Sequence, residues 1–282
     1  MLATLPMLIL GAALTAQSKG PFYDAFPAHK VIANVYYVGS KDLASYLITT
    51  PEGHILINSG FEETVPLIKT GVESLGFKMT DINILLASHA HSDHVAGHAL
   101  ARTMTGAKVY VMCGDDAVIA SGGQGQYLYK GGWKPCPVDR VLDDGDEVKL
   151  GGTTLHARLT PGHTRGCTTW TWSVEEKGVT YPVVVIGSPN VNAGYRLVDN
   201  KDYPEIAADF ARTFKTLESL PCEIFLGAHG GYYGMIEKSE KAKTNPEKNP
   251  FIDPAGYRAY VDQKARAFRE TLEAQKAKPS QN

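Results

Sequence analysis

Residues 88–94 read SHAHSDH, which puts His89, His91, Asp93 and His94 within six positions of one another. Imidazole nitrogen and carboxylate oxygen are both zinc ligands, with zinc–nitrogen distances of about 2.0–2.1 Å. Alternate side chains of an extended segment leave on the same side, so His89 and His91 can grip one metal. Asp93 and His94 fall where the chain turns into a helix expected over residues 94–104, and there they can face a second metal. The bland reading is a chance polar loop. Four donors at this spacing, directly after an apolar strand, disfavour it.

Two further histidines extend the set. His163 lies in PGHT, after an apolar strand at residues 155–159, and His229 lies in GAHG, after one at residues 223–226. Glycine beside each lets the backbone approach closely. One such histidine alone is more often structural. Two at equivalent strand ends, beside HxHxDH, read as ligands. His29, His54, His98 and His156 match no ligand position and read as surface or structural. His98, one helical turn after His94, is the one to watch.

The elements that must hold these groups are legible in outline. Residues 31–39, 45–50 and 54–58 read as three strands, rich in Tyr and β-branched residues and separated by Gly or Pro. Residues 63–75 carry Val65, Ile68, Val72 and Leu75 at helical spacing. Residues 82–87, INILLA, form an almost uniformly apolar strand, as a buried position requires. Strands at 108–112, 147–150, 153–159, 168–174 and 182–186 follow. A helix at 203–220 has Ile206, Phe210, Phe214 and Leu217 on one face. A last strand, 223–226, precedes a charged amphipathic helix at 257–276. Two comparable halves of this kind suggest two packed sheets with helices outside. Residues 122–137 make a Gly-rich loop carrying Gln126, Tyr127, Tyr129 and Trp133. It is too long for a simple connector, and either borders a site or is a plain surface loop.

Composition narrows the function classes. Lys plus Arg number 28 and Asp plus Glu 30, a net charge of −2, so there is no basic field for nucleic acid or an acidic membrane surface. At 43% hydrophobic and 21% charged the chain is globular, not disordered. Residues 5–16, LPMLILGAALTA, have the length and small-residue ending of a secretory signal, although no Lys or Arg precedes them. The expectation is a signal peptide at residues 1–16, one exported, periplasmic domain at 17–282, and no stable membrane partner. Cys113, Cys136, Cys167 and Cys222 include no CxxC pair, which argues against a cysteine-based zinc site.

HxHxDH, the later PGHT and a final His after a strand resemble the metallo-β-lactamase superfamily, from about Phe22 to the last helix. Within it, PGHTRGCTTW, GAHGGYYGM and NPFIDP are similar to subclass B3 metallo-β-lactamases. The resemblance implies an α/β fold, an αββα four-layer sandwich of two mixed sheets with helices outside. It also implies two zinc ions per chain. His89, His91 and His163 would hold the first, and Asp93, His94 and His229 the second. The implied activity is hydrolysis of the β-lactam ring amide of penicillins, cephalosporins and carbapenems by a zinc-bound hydroxide, with antibiotic resistance as the result. The protein is expected to act as a monomer on these small molecules.

The same resemblance assigns Asp93 a part in orienting the nucleophile and Tyr195 a part at the oxyanion, and makes Ser188 and Asn190 candidates for the substrate carboxylate. Many superfamily hydrolases, glyoxalase II among them, carry a metal-bridging Asp where this chain has Ser188. Asn58 stands where many relatives have Asp, which bears on support of the site and not on the ligands themselves. The B3 pattern sometimes pairs the Cys of LPC with one far downstream. No cysteine follows Cys222, so it is expected to be a small buried hydrophobe. Two other readings stay open: a hydrolase of lactones, thioesters or phosphodiesters on the same fold, and a non-catalytic zinc protein. Six intact ligands argue against the second, since structural zinc is usually closed by four. No GxSxG or SxxK motif supports a serine enzyme.

Overall fold

The computed structural model describes residues 19–128, 131–245 and 247–277. The apolar run at 5–16 and Tyr129 lie outside the described residues. Strands β1 (His29–Ile32), β2 (Val35–Tyr37), β3 (Tyr46–Thr50), β4 (Gly53–Ile57), β5 (Ile82–Leu86), β6 (Lys108–Met112) and β7 (Arg140–Leu142) lie side by side in that order. The first four pair antiparallel, and β4 through β7 pair in parallel. Strands β8 (Glu147–Leu150), β9 (Thr153–Leu159), β10 (Thr168–Glu176), β11 (Val179–Ile186) and β12 (Ile224–Gly227) make a second sheet in the order β12-β11-β10-β9-β8. It is parallel only between β11 and β12.

Alternation along the strands sorts the layers. In β3 and β4, Tyr46, Ile48, Ile55 and Ile57 point into the core shared with the second sheet, while Leu47 and Leu56 point the other way. That outer face is covered by α1 (Val65–Ser74), α2 (Ser92–Val95), α3 (His98–Thr105) and α4 (Asp116–Ala120), through Val65, Ile68, Val72, Val95, Ala101 and Ile119. The second sheet is covered by α5 (Ile206–Ser219), α6 (Met235–Thr244) and α7 (Pro254–Lys276). Ile206, Phe210, Phe214 and Leu217 of α5 meet Val261, Ala265 and Phe268 of α7 within that core. The result is the expected αββα sandwich, two mixed sheets with helices outside. Among the described residues, no helix is long and apolar enough to cross a membrane.

Two local expectations need correction. Residues 31–39 are not one strand, because the chain turns back at Ala33 (φ 45°) and Asn34, whose amide donates to the Thr49 carbonyl at 2.7 Å. Asn favours such turns, and the Tyr/Val richness on both sides masked it. The helix expected over 94–104 is broken at Gly97. The Gly97 amide donates to the Gly60 carbonyl at 2.9 Å and the His94 carbonyl accepts from the Ser59 amide at 2.9 Å, so residues 59 and 60 take the bonds that would carry α2 on into α3. Helices α4 and α6 and the short strand β7 went unread. The 14 residues of α5, by contrast, follow the predicted apolar face. Cys113, Cys136, Cys167 and Cys222 are all free, and burial pushes the Cys222 thiol up to about 12.

Candidate metal centre

The chemistry-bearing loops gather at one end of the two sheets. Strand β5 delivers residues 88–94, β9 delivers His163, β11 delivers Ser188 and Asn190, and β12 delivers His229. The sheets are locked together beside this point. The Thr168 amide donates to the Ser88 carbonyl at 2.7 Å, and the Trp170 indole donates to the Ala87 carbonyl at 3.0 Å. His91 is still extended (φ −99°, ψ 152°), and the helical turn of α2 begins directly after it. Extended backbone therefore presents His89 and His91, and the turn swings Asp93 and His94 to the neighbouring position.

The donor atoms converge in two groups. Those of His89, His91 and His163 all lie within 4.8 Å of one another, as do those of His89, Asp93 and His94. His229 joins the second group, since its Nε2 is 3.5 Å from Asp93 Oδ2, and His94 Nε2 is 3.3 Å from the same oxygen. Imidazole ring centroids are 4.2 Å apart for His89 and His94, and 4.9 Å for His94 and His229. All of these candidate ligands except the fully buried His94 line one cavity of about 250 Å³, shared with Asp42, Asn190, Asn192, Gly231 and Tyr232.

Electrostatics make the group ready for a cation. Burial, reinforced by the neighbouring imidazoles, holds His89 and His91 well below the usual histidine range, and burial brings His163 down to about 4. The neutral imidazole is the form that binds metal. Burial works against ionisation of Asp93, but His94 and His229 outweigh it and keep the carboxyl well below the usual carboxylate range. Two ring nitrogens are committed elsewhere. His163 Nδ1 donates to the Asn190 carbonyl at 2.8 Å, and His229 Nδ1 donates to Asp42 Oδ2 at 2.8 Å. Each bond fixes a tautomer that turns Nε2 toward the cavity, as supporting contacts to metal-bound histidines do. His94 Nε2 is buried and makes no hydrogen bond. A buried, unsatisfied ring nitrogen facing a carboxylate and other imidazoles is costly unless a cation completes it. These residues fit a divalent metal of the zinc type.

The remaining site expectations fare unevenly. Asn58, in place of an Asp, still supports the site: its carbonyl oxygen accepts from the Ser88 amide at 2.8 Å, and its amide lies 3.5 Å from His94 Nδ1. Tyr195, expected at the oxyanion, has its hydroxyl on a backbone carbonyl. The residue is 3% exposed, does not line the metal-bearing cavity, and donates its hydroxyl to the His163 carbonyl at 2.7 Å. It holds the His163 loop in place. Ser188 is buried behind the cavity wall, with its hydroxyl 3.2 Å from that of Tyr232. Asn190 does line the cavity and donates to the Tyr232 hydroxyl at 2.8 Å. His98 is a structural residue, buried with Nδ1 2.6 Å from Ser59 Oγ.

The loop at 122–137 is pinned beside the site. The Gln126 amide donates to the Ala90 carbonyl, and the Tyr127 hydroxyl accepts from the Arg196 amide at 2.8 Å. Asp42, Asp115, Asn192 and Tyr232 went unread in the sequence. Tyr232 could have been suspected from its place in GAHGGYY. Asp42 and Asp115 lie far along the chain from the histidines they serve, and carry no local signal.

Comparison with known proteins agrees with this geometry. The family described as the metallo-beta-lactamase superfamily matches residues 43–176. A hydroxyacylglutathione hydrolase of Rhodopseudomonas palustris (strain BisB5) is 31% identical over 123 residues, 44% of this chain and 40% of that protein. The match therefore spans well under half the length of that curated relative. Solved structures are matched from end to end. Native FEZ-1 metallo-beta-lactamase from Legionella gormanii is 48% identical with a TM-score of 0.90, covering 92% of this chain and 100% of that one. BJP-1, a subclass B3 metallo-beta-lactamase of Bradyrhizobium japonicum, is 33% identical with a TM-score of 0.84, covering 91% and 97%. With two mixed sheets, a histidine cluster at their shared end and likeness sustained over a whole related chain, the protein belongs to the metallo-β-lactamase superfamily.

Proposed function

We propose that the protein is a subclass B3 metallo-β-lactamase, a two-zinc hydrolase that opens the ring amide of penicillins, cephalosporins and carbapenems and so gives antibiotic resistance. The observation that carries this reading is the end-to-end likeness, at 48% identity, to a protein described as a metallo-beta-lactamase. The hydroxyacylglutathione hydrolase match favours a thioesterase as the second reading, but covers only 40% of that relative.

In this reading His89, His91 and His163 hold one zinc, and Asp93, His94 and His229 the other. Bound zinc supplies Lewis acidity and brings the pKa of a coordinated water to about 7. The side chains supply the rest. Asp93 stays ionised at the cavity and orients a proton beside the reacting atoms. Asp42 keeps His229 in one tautomer, and Tyr195 holds the backbone of His163. Asn190, backed by Ser188 and Tyr232, meets the substrate carboxylate. Among the described residues, the carboxylates lining the cavity are Asp42 and Asp93 alone. Ser188 stands where many hydrolases of the fold carry a bridging Asp, so a cation held by Asp93, His94 and His229 would have room for a departing amide nitrogen. Amide nitrogen leaves poorly, so this room helps a β-lactam more than an ester.

Steady-state kinetics on penicillins, cephalosporins, carbapenems, an acyl-homoserine lactone and a glutathione thioester test the assignment. The highest kcat/KM is expected on a β-lactam. If the lactone or the thioester exceeds every β-lactam, the substrate assignment fails and another hydrolase of this fold takes its place.

Residues 17–282 are proposed to work as one domain, monomeric and exported to the periplasm after removal of residues 1–16. The apolar run ending in small residues motivates this. N-terminal sequencing of the mature protein should begin just after Ala16, and retention of Met1 in exported protein would refute the cleavage.

A further inference from the structure

We propose that Asp115 is a positioning residue of the metal centre, a buried carboxylate that sets the distance between the loop carrying His89 and His91 and the loop carrying His163. The inference rests on the metal-binding reading of these loops and is independent of the substrate.

The two loops come from different sheets, and Asp115 touches both. Its Oδ2 accepts from the Ala90 amide at 2.8 Å, the peptide between His89 and His91, and from the Thr164 hydroxyl at 2.7 Å, next to His163. Its Oδ1 accepts from the Gly166 amide at 2.9 Å. Three donors from two loops therefore converge on one side chain that is 2% exposed.

Position in the fold makes this commitment informative. Asp115 is the residue before the first turn of α4, where Asp ordinarily turns its carboxylate back to cap the helix. Here it makes no such cap bond. The backbone is also shaped to admit the contact. A Cβ at Gly166 would lie 2.5 Å from the Asp115 amide nitrogen and 2.7 Å from its Cβ, and a Cβ at Gly114 would lie 3.0 Å from Arg165. Glycine on both sides brings the segments closer than any side chain allows.

The chemistry of the contact is specific to a carboxylate. Asparagine has the same shape, but replaces one acceptor oxygen with an NH₂ group. That group must then face an amide N–H or the Thr164 hydroxyl. One donor loses its partner, and a loop shifts to relieve it. The sheets remain joined nearby by the neutral Thr168–Ser88 and Trp170–Ala87 bonds, so the fold has support that does not pass through Asp115. Loss of Asp115 therefore falls on the geometry of the three-histidine group.

The test compares the full-length parent, Asp115→Asn and Thr164→Val. Zinc affinity is measured by chelator competition, the visible spectrum is recorded after cobalt(II) substitution, and thermal melting reports the fold. Asp115→Asn should melt cooperatively, bind zinc about 10- to 100-fold more weakly, the range for lost supporting contacts to metal ligands, and show an altered cobalt spectrum. Thr164→Val, which removes one donor and keeps the carboxylate, should lose affinity in the same direction by a smaller factor. A residue that only stabilises the fold would lower the melting temperature and leave the spectrum and affinity of the folded protein alone. Folded Asp115→Asn with parental affinity, within about twofold, and a parental spectrum overturns the proposal. If Asp115→Asn does not fold, folded Thr164→Val decides, and parental values there overturn it equally. Absence of β-lactam turnover in the parent would sink the substrate reading and leave this comparison standing.

Discussion

Replacing Asp93 with Ala should cut turnover by about 10³-fold while leaving a folded protein, the scale of losing a preorganised charge at a reacting centre. Asp93 Oδ2 lies 3.3 Å from His94 Nε2 and 3.5 Å from His229 Nε2, so one carboxylate oxygen joins the two imidazoles of the second metal group. Its removal leaves that group with two neutral donors and no anion. The three-histidine group keeps all its side chains, so the variant should still bind one zinc. The fold should survive because the burial that supports it lies elsewhere, in the core between the sheets and the layer under α1 and α3. Parallel measurements of kcat, zinc content and melting temperature separate these effects. Near-parental turnover in folded, zinc-loaded Asp93→Ala would show that this carboxylate plays no part in the reaction.

Stripping the metal should abolish turnover, and zinc should restore it in proportion to uptake, approaching two equivalents per chain. A ceiling of one equivalent, unchanged by His229→Ala, would remove the second site. The pH dependence of loading follows from the imidazoles. An isolated histidine titrates near about 6.5, and below that value protons compete with metal. Burial lowers His89, His91, His94 and His163 in the apo fold, His163 to about 4. A lowered pKa means the ring loses its proton at lower pH, so these ligands are already neutral at pH 7 and remain so on mild acidification. Zinc affinity of the three-histidine group should therefore change little from about pH 7 to about pH 6 and fall as pH drops toward the lowered values. Isothermal titration across that range checks it. A steep loss between about pH 7 and pH 6 would mean that the imidazoles titrate as exposed groups do.

Much of this protein was decided by short-range pattern. His89, His91, Asp93 and His94 could be read as one donor set because extended backbone and a helical turn dictate where neighbouring side chains point, whatever surrounds them. The apolar face of α5 and the uniform run of β5 were legible for the same reason, since burial repeats with the period of the element. The αββα architecture followed from the order of those elements together with the family resemblance. The β1–β2 turn and the break at Gly97 were not legible. The first hides in a β-rich run, and the second comes from hydrogen bonds to Ser59 and Gly60, which only the folded chain brings there. Tyr195 shows the same limit inside the site: the family resemblance suggested the oxyanion, but the direction of its hydroxyl, to the His163 carbonyl, is set by packing. Asp42 and Asp115 are the clearest cases. A lone acidic residue has no period and no motif. Each became part of the metal centre because two sheets, packed face to face, brought donors from distant segments within hydrogen-bond reach. The strength of such a bond is set by burial and alignment, and both belong to the tertiary structure.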